Sequence, residues 1–162
     1  MAVLKLHLDE FDEVDYDLIA IHSSLEDFRL AYFINQQLPI TLSRSKEEVG
    51  VVVKEGEAFF SKFQYDDIKN GVLWTLIQNQ NDILIRQKNA DNNLFIETGL
   101  EVLRKVHLIS ELKKVDYFLK IENNAQTFTL SKIISQLNKI ERVTAAYIVI
   151  PENIKSKNNL IF

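Results

Sequence analysis

A chain of 162 residues, 46% hydrophobic and 26% charged, carries enough material for one α+β or similar soluble domain spanning residues 1–162. No apolar run approaches the roughly 20 residues of a membrane span, and without cysteine there is no disulfide, thiolate metal site or cysteine nucleophile. The formal net charge of −4 hides a split: residues 1–27 hold eight carboxylates against Lys5 alone, whereas residues 102–162 hold ten Lys and Arg against five carboxylates.

Ala2–Leu8 alternates like a strand and lacks the apolar segment and cleavage site of a signal peptide, so the cytoplasm is the expected compartment. The acidic run Asp9–Asp17 follows, and Asp17–His22 reads as a short apolar strand. Ser23 with Glu26 fits the S-x-x-E capping box, which predicts a helix over about Leu25–Leu38. Its apolar residues, Leu25, Phe28, Leu30, Ala31, Tyr32, Phe33, Ile34 and Leu38, point almost all round the cylinder. Either the helix is buried on more than one side, or Phe28, Ala31, Tyr32, Phe33 and Ile34 form an interface with a second copy or another protein. Pro39 ends it. Ile40–Leu42 can return as a strand before the polar connection Ser43–Glu48. Val49–Gln87 then reads as an antiparallel meander of Val49–Val53, Phe59–Tyr65, Val72–Gln78 and Ile83–Gln87, with Asn70-Gly71 as a hairpin turn.

Asn89–Asn93 is a polar loop, and Leu94–Leu103 is ambiguous between a short helix and irregular chain. Val102–Ile109 is expected to pair as a hairpin with Lys114–Glu122, the strand around which the C-terminal half is organised. There Tyr117, Leu119 and Ile121 fall on one face, and Asp116, Phe118 and Lys120 on the other. Leu130, Ile133, Ile134, Leu137 and Ile140 make one helical stripe, with Thr129 as N-cap and Phe128 and Ile133 placed as a hydrophobic staple. Val143–Ile150 is the closing strand, stopped by Pro151, and the tip Leu160-Ile161-Phe162 is expected to dock on the core. Val14-Asp15-Tyr16-Asp17-Leu18 and Val115-Asp116-Tyr117-Phe118-Leu119 share V-D-Y-x-L, which raises a duplicated strand-helix-strand unit as a hypothesis.

Chemistry is harder to find. His7, His22 and His107 all fall on expected strands, and His7 and His22 lie near Asp9, Asp15 and Asp17, but no pair has the H-E-x-x-H spacing of a zinc site. The glycines form neither G-x-G-x-x-G nor a Walker pattern, and no G-x-S-x-G elbow is present. An enzyme is therefore disfavoured, and no catalytic residue, metal ligand or cofactor is assigned. Lys113, Lys114, Lys120, Lys132, Lys139 and Arg142 could contact RNA if they shared one exposed face.

The stretches DYDLIAIHSSLEDFRLAYFIN and ISELKKVDYFLKI resemble the IPExxDY family, small bacterial proteins known mainly from Bacteroidota, over nearly the whole chain. The naming motif departs here: Ser110 stands where the family has Pro, Lys114-Val115 where Asp-Tyr would follow, and Asp116-Tyr117 come two residues later. The resemblance implies a cytoplasmic protein of unassigned function and carries over no catalytic residue. The expected fold is α+β, a largely antiparallel sheet of about seven to nine strands with two principal helices packed on it. The sheet is expected to bury Tyr117, Leu119, Ile121 and Trp74 against Ile133, Ile134, Leu137, Phe28 and Tyr32. Three functions follow: a non-catalytic interaction protein engaging itself or another protein, an RNA- or ribosome-associated binder using the basic C-terminal third, or a small-molecule binder or enzyme whose site lies across distant residues.

Overall fold

Short β-branched and aromatic runs divided by polar turns set the order of elements. The computed structural model describes residues 14–54, 56–87 and 100–162. In chain order these form β1 (Tyr16–Ser23), α1 (Asp27–Gln37), β2 (Ser43–Arg44), β3 (Val49–Val53), β4 (Gly56–Phe60) and β5 (Lys62–Asp67). Then come β6 (Val72–Gln78), β7 (Gln80–Gln87), β8 (Leu100–His107), β9 (Tyr117–Glu122), α2 (Leu130–Leu137) and β10 (Val143–Val149). The strand expected over residues 2–8 with His7, most of the acidic run, the polar loop over residues 89–93 and most of the ambiguous stretch after it lie outside the described residues.

Six strands make one sheet in the order β10-β1-β9-β6-β5-β2, and every neighbouring pair is antiparallel. β3 with β4, and β7 with β8, make two further two-stranded sheets. The α+β class is as expected, with ten strands among the described residues. One feature raises the number: Ser61 divides the expected strand Phe59–Tyr65 between two sheets. The strand expected at Ile40–Leu42 does not form, and a two-residue edge at Ser43-Arg44, where a connection was expected, takes its place.

β9 lies between β1 and β6, so both of its edges are taken. The expected hairpin between Val102–Ile109 and this strand therefore does not form, and β8 pairs with β7 instead. The diversion begins at Asn79. Its buried carboxamide accepts from Ile109 N at 2.8 Å and donates to Leu112 O at 2.9 Å and Val115 O at 2.8 Å. Those bonds hold the segment from Leu108 to Val115 against the sheet before β9 begins.

Alternation along the central strands feeds two cores. On one face Ile19, Ile21, Trp74, Leu76, Tyr117, Leu119 and Ile121 pack under the helices, which contribute Leu30, Ala31, Ile34, Ile133 and Leu137. Ile134 is partly buried against this core, as is Phe128, whose ring meets Trp74 edge-on at 5.1 Å. Phe28 and Tyr32, expected here, point to solvent instead. On the other face Leu18, Ala20, Ile77 and Phe118 lie under Val49, Ala58 and Phe60 of the β3–β4 hairpin, and under Leu108, Ile109, Val115, Ile154 and Leu160. The C-terminal tip docks as expected: Leu160 is buried and Phe162 packs against this second core, while Ile161 is exposed.

Helix starts differ from the sequence expectation. Ser23 is the last residue of β1, where its Oγ accepts from Leu25 N at 3.1 Å, and α1 starts only at Asp27. The capping box is not formed, and Glu26 takes the cap position. Thr129 does cap α2 in position, but through no side-chain bond. The V-D-Y-x-L echo is not a duplication. One strand separates β9 from β10 but three separate β1 from β2, and Tyr16 and Tyr117 face opposite cores.

Asparagine side chains bind the backbone within edge strand β10 and just before edge strand β2. Ala146 lies in edge strand β10, where its N–H donates to Asn138 Oδ1 at 3.0 Å and its carbonyl accepts from Nδ2 at 3.2 Å. Beside β2, Asn35 holds the N–H and C=O of Leu42 in the same way, at 2.8 and 3.0 Å. A carboxamide so placed occupies the groups that an added strand would use. Asn138→Ala is expected to cost about 1 kcal/mol in urea unfolding and to raise concentration-dependent light scattering. Unchanged scattering would show that the clamp does not guard the edge.

Candidate interaction surface

With Leu30, Ala31 and Ile34 turned to the sheet, the helical period places Phe28 with Tyr32, and Arg29 with Phe33, on the opposite side of α1. Phe28 is 56% exposed, Tyr32 59% and Phe33 39%. The rings of Tyr32 and Phe33 meet edge-on, 5.5 Å apart at 74°. Beside Phe33 a cavity of about 210 Å³ is lined by Leu25, Arg29, Glu141 and Arg142, the last two from the turn that leads into β10. Arg142 holds a left-handed φ of 69° in that turn. Neither Arg29 nor Arg142 forms an ion pair among the described residues. The start of the helix is pinned from below, because the Tyr117 hydroxyl donates to Leu25 O at 2.7 Å. Burial, and then the charges of Asp27, Asp116 and Glu26, push the Tyr117 pKa up, so it stays protonated as that donor.

Of the five residues expected at an interface, Phe28, Tyr32 and Phe33 are thus available. Ala31 and Ile34 are not, because they are buried against the sheet. The wide apolar stripe is two surfaces, one facing in and one facing out. Sequence reasoning missed Arg29, Glu141 and Arg142 as their neighbours, since the last two arrive from a turn more than a hundred residues later.

The basic residues do not gather. Lys132 and Lys139 lie on or just after α2, over the first core, whereas Lys113 and Lys114 lie beside Leu112 and Val115, which pack on the second. Lys120 is only 3% exposed. Its position on the second face puts it beneath the C-terminal tail, where Nζ donates to Leu160 O at 2.6 Å and pairs with Glu122 at 3.2 Å. The rings of Tyr16 and Phe162 flank the ammonium at 4.8 and 4.6 Å. Lys120 is therefore a core cation and not a nucleic-acid contact.

His22 is engaged with Tyr147: its Nε2 lies 3.0 Å from the phenol oxygen, and the rings stack at 5.6 Å. At His107, burial followed by Lys113 and Lys105 lowers the pKa and favours the neutral ring. Among the described residues no three His, Asp or Glu side chains converge as metal ligands would. An open groove of about 570 Å³ lies at the start of β1 and the turn before α2, lined among others by Asp15, Asp17, Asn124 and Gln126. Asn123, Ala125 and Gln126 hold left-handed φ values of 59°, 38° and 65° there. Asn124 accounts for the shape of that turn. It clamps Phe128 N and O at 2.9 and 3.1 Å and donates to Asp17 at 2.9 Å, so these groups bond to one another.

No protein-family model, curated protein or solved structure matches this chain. Among the described residues no helix is long and apolar enough to cross a membrane.

Proposed function

We propose that this chain is a non-catalytic interaction protein that engages another protein through the outer face of α1. The observation that carries the reading is the exposed cluster of Phe28, Tyr32 and Phe33 beside Arg29 and Arg142, which form no ion pair among the described residues. Aromatic and Arg side chains dominate the energetics of protein interfaces, and these three rings are not spent on the core. The fitting partner supplies an apolar side chain to the small cavity and carboxylates to Arg29 and Arg142. Membership of the IPExxDY family and a cytoplasmic setting belong to this reading, on the residue resemblance alone. RNA binding has less support, because the lysines divide between the two sides of the sheet and Lys120 is enclosed. A small-molecule site has less as well, because the polar groups around Asn124 satisfy one another.

The test is affinity purification of the tagged wild type and of a Phe28→Glu/Tyr32→Glu variant from cells that make the protein, with and without RNase. A co-purifying protein should survive RNase and fall about 30-fold or more in the variant. Equal capture by both forms, or release by RNase, would overturn the proposal.

A further inference from the structure

The β7–β8 ribbon presents a second apolar face, remote in sequence from α1. Leu84 and Leu103 are directly opposed across the two strands and are 65% and 66% exposed. Two residues along, Asp82 opposes Lys105 on the same face, and both are exposed. The other face is already used near its base, where Val106 is buried in the second core and Ile83 packs against it. A two-stranded ribbon is marginal in water unless one of its faces is covered.

We propose that this face docks on the same face of a second copy, giving a two-fold dimer of stacked ribbons. The charge pattern selects that occupant. A two-fold axis along the ribbon, midway between the strands, lays β7 of one protomer over β8 of its partner. Leu84 then meets the partner's Leu103, and Asp82 meets the partner's Lys105, with each contact repeated by symmetry. Opposite charges at one level on the two strands are what such an axis requires. Neither Asp82 nor Lys105 forms an ion pair among the described residues, so both are available. The face is small beside the roughly 800 Å² per partner of a typical stable interface, so the association is weak and concentration-dependent. It does not depend on the α1 reading, since it uses other residues.

Sedimentation equilibrium of the full chain, from micromolar to submillimolar concentration, provides the test. The wild type should dimerise. Asp82→Lys and Lys105→Asp should each weaken dimerisation about tenfold or more, by setting like charges against each other. Mixing the two variants should restore it, because the two lysines of one chain then face the two aspartates of the other. Repair of a contact within one chain cannot produce that restoration. Leu103→Ser, which keeps the charges, should also weaken the wild-type dimer and serves if a charge variant fails to fold. A wild type that stays monomeric, single variants that associate normally, or a mixture that stays monomeric would each overturn the proposal. So would a monomeric wild type whose variants melt earlier, since the face would then belong against its own chain.

Discussion

Asn79→Ala is expected to lower the unfolding free energy by about 3–5 kcal/mol, as large a loss as any single polar side chain here should produce. The carboxamide is buried and serves three backbone groups across 30 or more residues of chain. Alanine would leave the Ile109 N–H and the Val115 carbonyl without their side-chain partner, in a place where water cannot readily replace it. The Leu112 carbonyl keeps one bond, from Val115 N at 3.1 Å, which limits the cost there. Asn79→Asp sharpens the test. The new carboxylate would still accept from Ile109 N but would point an anionic oxygen at two carbonyls. Burial and that repulsion raise the folded-state pKa of the new Asp above its unfolded value. Its ionisation therefore costs stability as pH rises through the raised pKa, and the cost is relieved below the unfolded one. Measured against Asn79→Ala at each pH by urea unfolding, the aspartate variant should fare worse at neutral pH and recover relative to it in acid. A loss under 1 kcal/mol for Asn79→Ala would mean that the segment from Leu108 to Val115 is held by something else.

Trp74→Ala should cost a similar amount, about 3–5 kcal/mol, by opening a cavity in the first core. Trp74 is fully buried on β6, its ring against Phe128, with Ile121 opposite on β9. Its Nε1 has no hydrogen-bond acceptor among the described residues. Phenylalanine would therefore remove an unpaired polar hydrogen along with part of the ring, and Trp74→Phe should cost only about 1–2 kcal/mol. Trp74 is the only tryptophan, so far-UV circular dichroism and not fluorescence must follow the unfolding. If the two substitutions were equally costly, the indole N–H would have a partner after all.

Much of the C-terminal half could be read from sequence, because β9, α2 and β10 each carry an unbroken period. Tyr117, Leu119 and Ile121 repeat every second residue, and Leu130, Ile133 and Leu137 repeat at helical spacing; both sets lie in or against the first core. Periodicity identifies an element but not its neighbour. Nothing local to Val102–Ile109 says that β9 is taken on both sides or that Asn79 will redirect the chain. The division of Phe59–Tyr65 at Ser61 was equally hidden, since both halves alternate and only tertiary packing assigns them to different sheets.

The candidate surface was half legible for a related reason. Eight apolar residues around one helix announce that more than one side is apolar, but not which side meets the sheet. The sheet takes Leu30, Ala31 and Ile34, leaving Phe28, Tyr32 and Phe33 outside. Lys120 had the opposite fate. A lysine on an alternating strand reads as solvated, and the tail that encloses it arrives 40 residues later with Leu160 and Phe162.

Whether the outer face of α1 is held free for a partner is read most directly by equilibrium urea unfolding of the purified Phe28→Glu/Tyr32→Glu variant. If those rings belong to solvent, the unfolding free energy should stay within about 0.5 kcal/mol per substitution of the wild type, while capture of the partner is lost. A loss of several kcal/mol would instead place both rings inside the molecule's own core and remove the surface on which the proposed contact depends.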